Sequence, residues 1–118
     1  MAANPASSVP DLTLSTEKAP TETVIRCSGK IVSSTSDSLK AAARAAMDGS
    51  KAVVLDFTQV TYLDSAGLGM IVGLYVTSKS HGCKLKLINL NQRIRELLSI
   101  TRLAPLFEGS EMLGLTPD

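Results

Sequence analysis

Asp56-Phe57-Thr58-Gln59-Val60-Thr61-Tyr62-Leu63-Asp64-Ser65-Ala66-Gly67-Leu68-Gly69 is the segment whose reading decides the fold. It follows the apolar run Ala52-Val53-Val54-Leu55, crosses a polar connection after Phe57, and places an Asp-Ser pair at the mouth of an apolar helix. Consecutive apolar residues, rich in branched side chains, describe a strand covered on both faces, as in a parallel sheet with helices. The helix is expected from about Ala66 to Lys79, ended by His81-Gly82. Leu68, Ile71, Val72, Tyr75 and Val76 recur at helical spacing and are expected to face the core. Met70 and Leu74 project roughly opposite them and are expected to lie exposed.

Upstream, Leu12-Thr13-Leu14-Ser15 alternates like an edge strand, and Thr23 to Cys27 is a second β-type run closed by Gly29. Their short spacing favours a hairpin. The polar run Ser33 to Asp37 offers N-caps, and behind it Leu39, Ala42, Ala43, Ala46 and Met47 repeat at helical spacing until Gly49. Downstream, Lys84 to Leu90 reads as a strand. Asn91 then caps a helix with Ile94, Leu97 and Leu98 inward. Leu106-Phe107 is expected to be a short last strand, and Glu111 to Leu115 a closing helical turn. The order ββαβαβα with a terminal βα predicts an α/β domain at 11–118: a mostly parallel sheet with an antiparallel edge and helices packed on it. Residues 1–10 are small, polar and Pro-containing and are expected to form a flexible tail.

The chain has 118 residues, enough for one domain with a real core, and a formal net charge of +1. No basic excess argues for nucleic acid, and Arg93, Arg95 and Arg102 are not interleaved with aromatics. Cys27 and Cys83 form no Cys-x-x-Cys pattern and have no ligand-like neighbours, so two reduced thiols are expected rather than a metal or a disulfide. No cofactor is indicated. Met1 to Pro10 has neither the basic start nor the apolar run of a targeting peptide. The longest apolar stretch, Ala66 to Val76, is too short to span a bilayer. A soluble, cytoplasmic protein is expected.

Ser65 could be a catalytic nucleophile, but a nucleophile elbow needs glycine two residues earlier, where Leu63 stands. The single histidine, His81, lies at the far end of the same helix, roughly 24 Å away at 1.5 Å per residue. Gly67, Gly69 and Gly73 miss the spacing of a dinucleotide fingerprint and follow too long a connection. An enzyme is therefore not expected. A plain helix cap explains Asp64-Ser65 by itself. Two features ask for more: glycines inside a helix cost on the order of 1 kcal/mol each relative to alanine, and this helix is apolar on both sides. An uncovered hydroxyl at a helix start, flanked by small residues that let another protein approach, suits a phosphorylation site.

From about Leu12 to Leu115 the sequence resembles the STAS family of bacterial anti-sigma factor antagonists. The most specific part runs from Asp56-Phe57-Thr58 through Leu63-Asp64-Ser65-Ala66-Gly67-Leu68-Gly69. The resemblance implies that Ser65 is phosphorylated by a partner kinase that is also the anti-sigma factor, with Asp64 its neighbour. It also implies that Gly67-Leu68-Gly69 opens the helix that meets that partner. The expected partner-binding set is Asp64, Ser65, Ala66, Gly67, Leu68, Gly69, Met70, Gly73 and Leu74. The implied function is a switch. The unphosphorylated protein binds an anti-sigma factor serine kinase and releases a sigma factor for RNA polymerase; phosphate on Ser65 ends the binding. Gly29-Lys30-Ile31-Val32 looks like the family's Gly-x-hydrophobic-Asp turn, with Val32 in place of Asp; Ala66 stands where the family usually has Ser or Thr. STAS domains also serve as accessory subunits of lipid-transport or signalling complexes, the alternative implied function.

Overall fold

The computed structural model describes residues 11–107. The expected N-terminal tail and the helical turn at Glu111 to Leu115 lie outside them. The order is β1 (Leu12–Lys18), β2 (Glu22–Ile31), α1 (Ser36–Met47), β3 (Ala52–Leu63), α2 (Ser65–Ser80), β4 (Lys84–Ile88), α3 (Gln92–Ile100) and a 3-10 turn, Ala104–Phe107. The four strands lie in the order β1-β2-β3-β4. β1 runs antiparallel to β2, while β2, β3 and β4 are mutually parallel. This is the expected mixed α/β architecture, with the hairpin at one edge.

α1 and α2 pack side by side. One core cluster joins Leu39, Ala43 and Met47 of α1, Leu68, Ile71 and Leu74 of α2, and Ile94 and Leu98 of α3 to Ile25, Val53, Leu55, Phe57 and Leu87 of the sheet. Ala52, Val53, Val54 and Leu55 are all buried, as the apolar run demands. Ala52 and Val54 belong to the opposite face. There Lys86 Nζ on β4 reaches Glu22 Oε2 on β2 at 3.2 Å. Those two residues align with Val54 and Ala52 across the sheet, so the pair bridges β3. Long side chains with apolar stems, rather than a helix among the described residues, lie over that face.

Three expectations are corrected. β2 does not close at Gly29 but runs through it to Ile31, so Gly29-Lys30-Ile31 is strand and not turn. Gly29 has φ +118 and sits beside a register shift, and Lys30 N donates to Asp11 O at 2.8 Å. The chain passes so close there that a Cβ on Gly29 would collide with the Asp11 carbonyl. Because β2 continues, β3 continues beside it: there is no polar connection after Phe57, and pairing extends to Ile31 with Leu63. Val60 and Leu63 point inward while Thr58, Gln59, Thr61 and Tyr62 stay exposed. Finally, the expected last strand at Leu106-Phe107 is part of the 3-10 turn. Pro105 has no N–H to give to a ladder, and the chain has just reversed at Arg102, with φ 61.

Both cysteines are free and buried. Burial, helped by the Asp56 carboxylate, pushes the Cys27 thiol up to about 12. Burial also raises Cys83. In both, burial disfavours the thiolate, the form that reacts.

Candidate functional site

β2 and β3 end together, and α2 begins at that point. Asp64 N donates to Ile31 O at 3.2 Å, fixing the chain where it leaves the sheet. Asp64 is the N-cap of α2: its backbone is extended, and its Oδ1 accepts the Gly67 N–H at 2.9 Å. Its carbonyl takes Leu68 N at 2.9 Å. Gly67 is forced by packing, since a Cβ there would lie 2.6 Å from Leu63 Cδ1 and closer still to the Ile31 carbonyl. The sequence leaves the cap to either member of the Asp64-Ser65 pair; the geometry gives it to Asp64 alone. Ser65, the first helical residue, is exposed, and its hydroxyl makes no hydrogen bond among the described residues.

The two sides of α2 differ from expectation. Met70 is 9% exposed and Leu74 only 1%, so neither is a surface residue. The inward face consists of Gly67, Leu68, Met70, Ile71, Leu74 and Ser78. Val72 and Tyr75 are half-buried, and Val76, expected inside, is 62% exposed. The correction amounts to a rotation of the helix about its axis. The helix is apolar all round, so hydrophobicity does not set its phase, but side-chain size does. Leu68, Met70, Ile71 and Leu74 fill the core, and apart from the close-packed Gly67 and Ser78 the small residues go outward: Ala66, Gly69 and Gly73 are all exposed. A Cβ at Gly69 or Gly73 would meet nothing within 4 Å. Ser65, Gly69, Val72, Gly73 and Val76 thus form an uncharged, low-relief strip. The strip runs from the free hydroxyl along about 16 Å of helix at 1.5 Å per residue.

Of the expected partner-binding residues, Ser65, Gly69 and Gly73 lie on this strip, and Asp64 and the exposed Ala66 border it; Gly67, Leu68, Met70 and Leu74 lie beneath it. Val72 and Val76 join the strip and were not in that set. Glycines recurring at Gly69 and Gly73 were the usable signal, because a face of the smallest residues cannot fill a core. Met70→Lys and Leu74→Lys are accordingly expected to destabilise the domain by about 3 kcal/mol or more by burying an unpaired charge. Chemical denaturation monitored by circular dichroism checks this.

His81 caps the opposite end of α2, with Nδ1 2.9 Å from Thr77 O and Nε2 3.9 Å from Asp48 Oδ1. Asp56, the acid that opens the Asp-Phe-Thr segment, is a structural pin. It accepts Thr58 N at 2.9 Å and Asn89 Nδ2 at 3.1 Å, and lies 3.8 Å from Arg26 Nε. Burial alone would raise its pKa, but these hydrogen bonds and the guanidinium outweigh burial and hold it below the usual carboxylate value. Val32, half-buried, follows Ile31 and brings no charge to the α2 start; its N–H is satisfied by Thr35 Oγ1 at 2.9 Å.

Residues 13–114 match the family described as STAS domain. The chain belongs to the STAS domain family. Its mixed sheet and three helices are the α/β STAS fold. An anti-sigma-B factor antagonist from Listeria monocytogenes is 35% identical over 60 residues, covering 51% of this chain and 53% of that protein. The matched part thus spans about half the length of that curated relative. Among solved structures, an anti-sigma factor antagonist from Mycobacterium paratuberculosis superposes with a TM-score of 0.74 at 25% identity, over 85% of this chain and 86% of that one. The anti-sigma factor antagonist SpoIIAA in its unphosphorylated form gives a TM-score of 0.69 at 18% identity, over 80% of this chain and 84% of that one, a likeness of fold alone. No helix of the described STAS domain is long and apolar enough to cross a membrane.

Proposed function

We propose that this STAS domain is an anti-sigma factor antagonist that works by partner switching. In the unphosphorylated state the strip Ser65, Gly69, Val72, Gly73 and Val76 packs against an anti-sigma factor serine kinase in the cytoplasm. A sigma factor is thereby released to RNA polymerase. The kinase phosphorylates Ser65 and the complex separates. The chain is the substrate of that reaction and supplies no catalyst.

One observation carries this reading: Asp64 caps α2 and leaves the Ser65 hydroxyl exposed and unengaged at the end of an uncharged strip. A phosphate on Ser65 adds about −1.5 to −2 charge. Within the domain the helix start tolerates that charge, because its dipole and free N–H groups favour anions. A partner surface shaped to cover small apolar residues and a neutral hydroxyl does not, since it would have to bury the charge. The Listeria relative is named an anti-sigma-B factor antagonist. SpoIIAA has been solved in unphosphorylated and phosphorylated forms, so in that protein the fold accommodates the modification.

Val76 provides the test of the surface. Val76→Lys places a charge in the strip without touching the core. It is expected to weaken kinase binding at least about tenfold, or about 1.4 kcal/mol, while stability changes by less than about 0.5 kcal/mol. Calorimetric titration and a thermal melt on the same variant read the two effects. Unchanged binding would remove this face of α2 as the contact surface.

A further inference from the structure

We propose that Thr35 is a positioning residue for Ser65, acting through the peptide group that joins Ile31 to Val32. Thr35 occupies the N-cap position of α1, with φ −117 and ψ −17, but its side chain makes no cap hydrogen bond there. Asp64 and Asn91 stand in the same place on α2 and α3, and each caps its own helix. A threonine at that position ordinarily gives its oxygen to an N–H of the first helical turn. Here the half-buried side chain turns back to the end of β2 instead. Its Oγ1 accepts Val32 N at 2.9 Å and donates to Lys30 O at 2.7 Å, with Val32 O farther off at 3.3 Å.

Those bonds hold both neighbours of Ile31, and Ile31 is where the start of α2 rests. The Val32 N–H belongs to the same planar peptide group as the Ile31 carbonyl. That carbonyl accepts Asp64 N at 3.2 Å, and it crowds the place a Cβ would take at Gly67. Asp64 Oδ1 in turn accepts Gly67 N at 2.9 Å. A chain of hydrogen bonds therefore runs from Thr35 Oγ1, through one rigid peptide group, to the backbone of Asp64, the residue before Ser65. Thr35→Val keeps the branched shape but has neither the acceptor nor the donor, so the peptide plane is held at its carbonyl end only. The strip from Gly69 to Val76 lies farther along α2 and is unaffected. The loss therefore falls on placing the Ser65 hydroxyl for phosphoryl transfer, not on holding the kinase. This role rests on Ser65 being the acceptor of the partner kinase.

The experiment is steady-state phosphorylation of the full chain by its cognate anti-sigma factor kinase with ATP. Melting temperature and the amide NMR signals of Asp64 and Gly67 are recorded on each variant. In Thr35→Val, kcat for Ser65 is expected to fall about tenfold or more, while KM for the protein stays within about twofold. Both amide signals should move. Thr35→Ser should restore kcat and both signals, because the hydroxyl and not the methyl holds the peptide plane. An unchanged kcat in Thr35→Val would overturn the role of Thr35 while leaving Ser65 as the acceptor. So would a loss in Thr35→Ser as large as in Thr35→Val. A Thr35→Val variant that unfolds, or whose KM alone rises, would make Thr35 a structural residue and overturn the role as well. No phosphate on Ser65 in the unmodified chain would overturn the switch itself, and this role with it.

Discussion

Gly67→Ala is expected to destabilise the domain by about 1–3 kcal/mol, whereas Gly69→Ala and Gly73→Ala are each expected to stabilise it by up to about 1 kcal/mol. All three glycines lie within two turns of one helix, so propensity alone gives them the same sign. Their surroundings separate them. At Gly67 a methyl group collides with the Ile31 carbonyl and Leu63 Cδ1, and relief means pulling α2 away from the end of β2 and the Asp64 cap. At Gly69 and Gly73 the added methyl enters open space, and only the backbone-entropy gain remains. Gly69→Leu and Gly73→Leu should leave the isolated domain folded yet abolish kinase binding, because they raise the strip by the depth of a side chain. Denaturant titrations and binding isotherms on the same set check both halves. A loss of stability in Gly69→Ala would mean that the strip is packed within the domain.

Ser65→Glu is expected to weaken kinase binding by about two orders of magnitude, equivalent to about 3 kcal/mol, without unfolding the domain. A carboxylate at the first helical position interacts favourably with the helix dipole by about 0.3–1 kcal/mol, so the substitution is tolerated or slightly stabilising in isolation. The loss arises in the complex, where the charge is taken from water against uncharged residues. Ser65→Ala should bind as tightly as the unmodified chain, since the hydroxyl has no partner among the described residues and the cap is Asp64. A marked drop in melting temperature for Ser65→Ala would make the serine a structural residue. Equal binding by Ser65→Glu would favour a constitutive accessory role for the same surface.

Much of this architecture is legible in the sequence, because several signals converge. Ala52 to Leu55 forces a covered strand, Asn91 caps α3 with Oδ1 2.8 Å from Ile94 N, and Gly49, with φ +88, follows the end of α1. The site start was also legible, since Asp64, Ser65 and Gly67 are tied to one place by capping and close approach. What stayed hidden depends on tertiary partners. Thr58 to Tyr62 looks like a polar connection because only Val60 and Leu63 face inward, and the strand exists because β2 continues past Gly29. The phase of α2 is not legible because an all-apolar helix has no polar face to orient it; Met70 lies inside and Val76 outside, the reverse of the expectation, because volume and not hydropathy decides.

Whether Ser65 is the switch is read by incubating the intact protein with its cognate anti-sigma factor kinase and ATP. Intact mass, peptide mapping and a binding assay would be read on the same sample. The expected result is one phosphate, located on Ser65, appearing in step with loss of kinase binding. Phosphate on Ser33, Ser34 or Thr61 instead, or a fully phosphorylated Ser65 with binding unchanged, would contradict it.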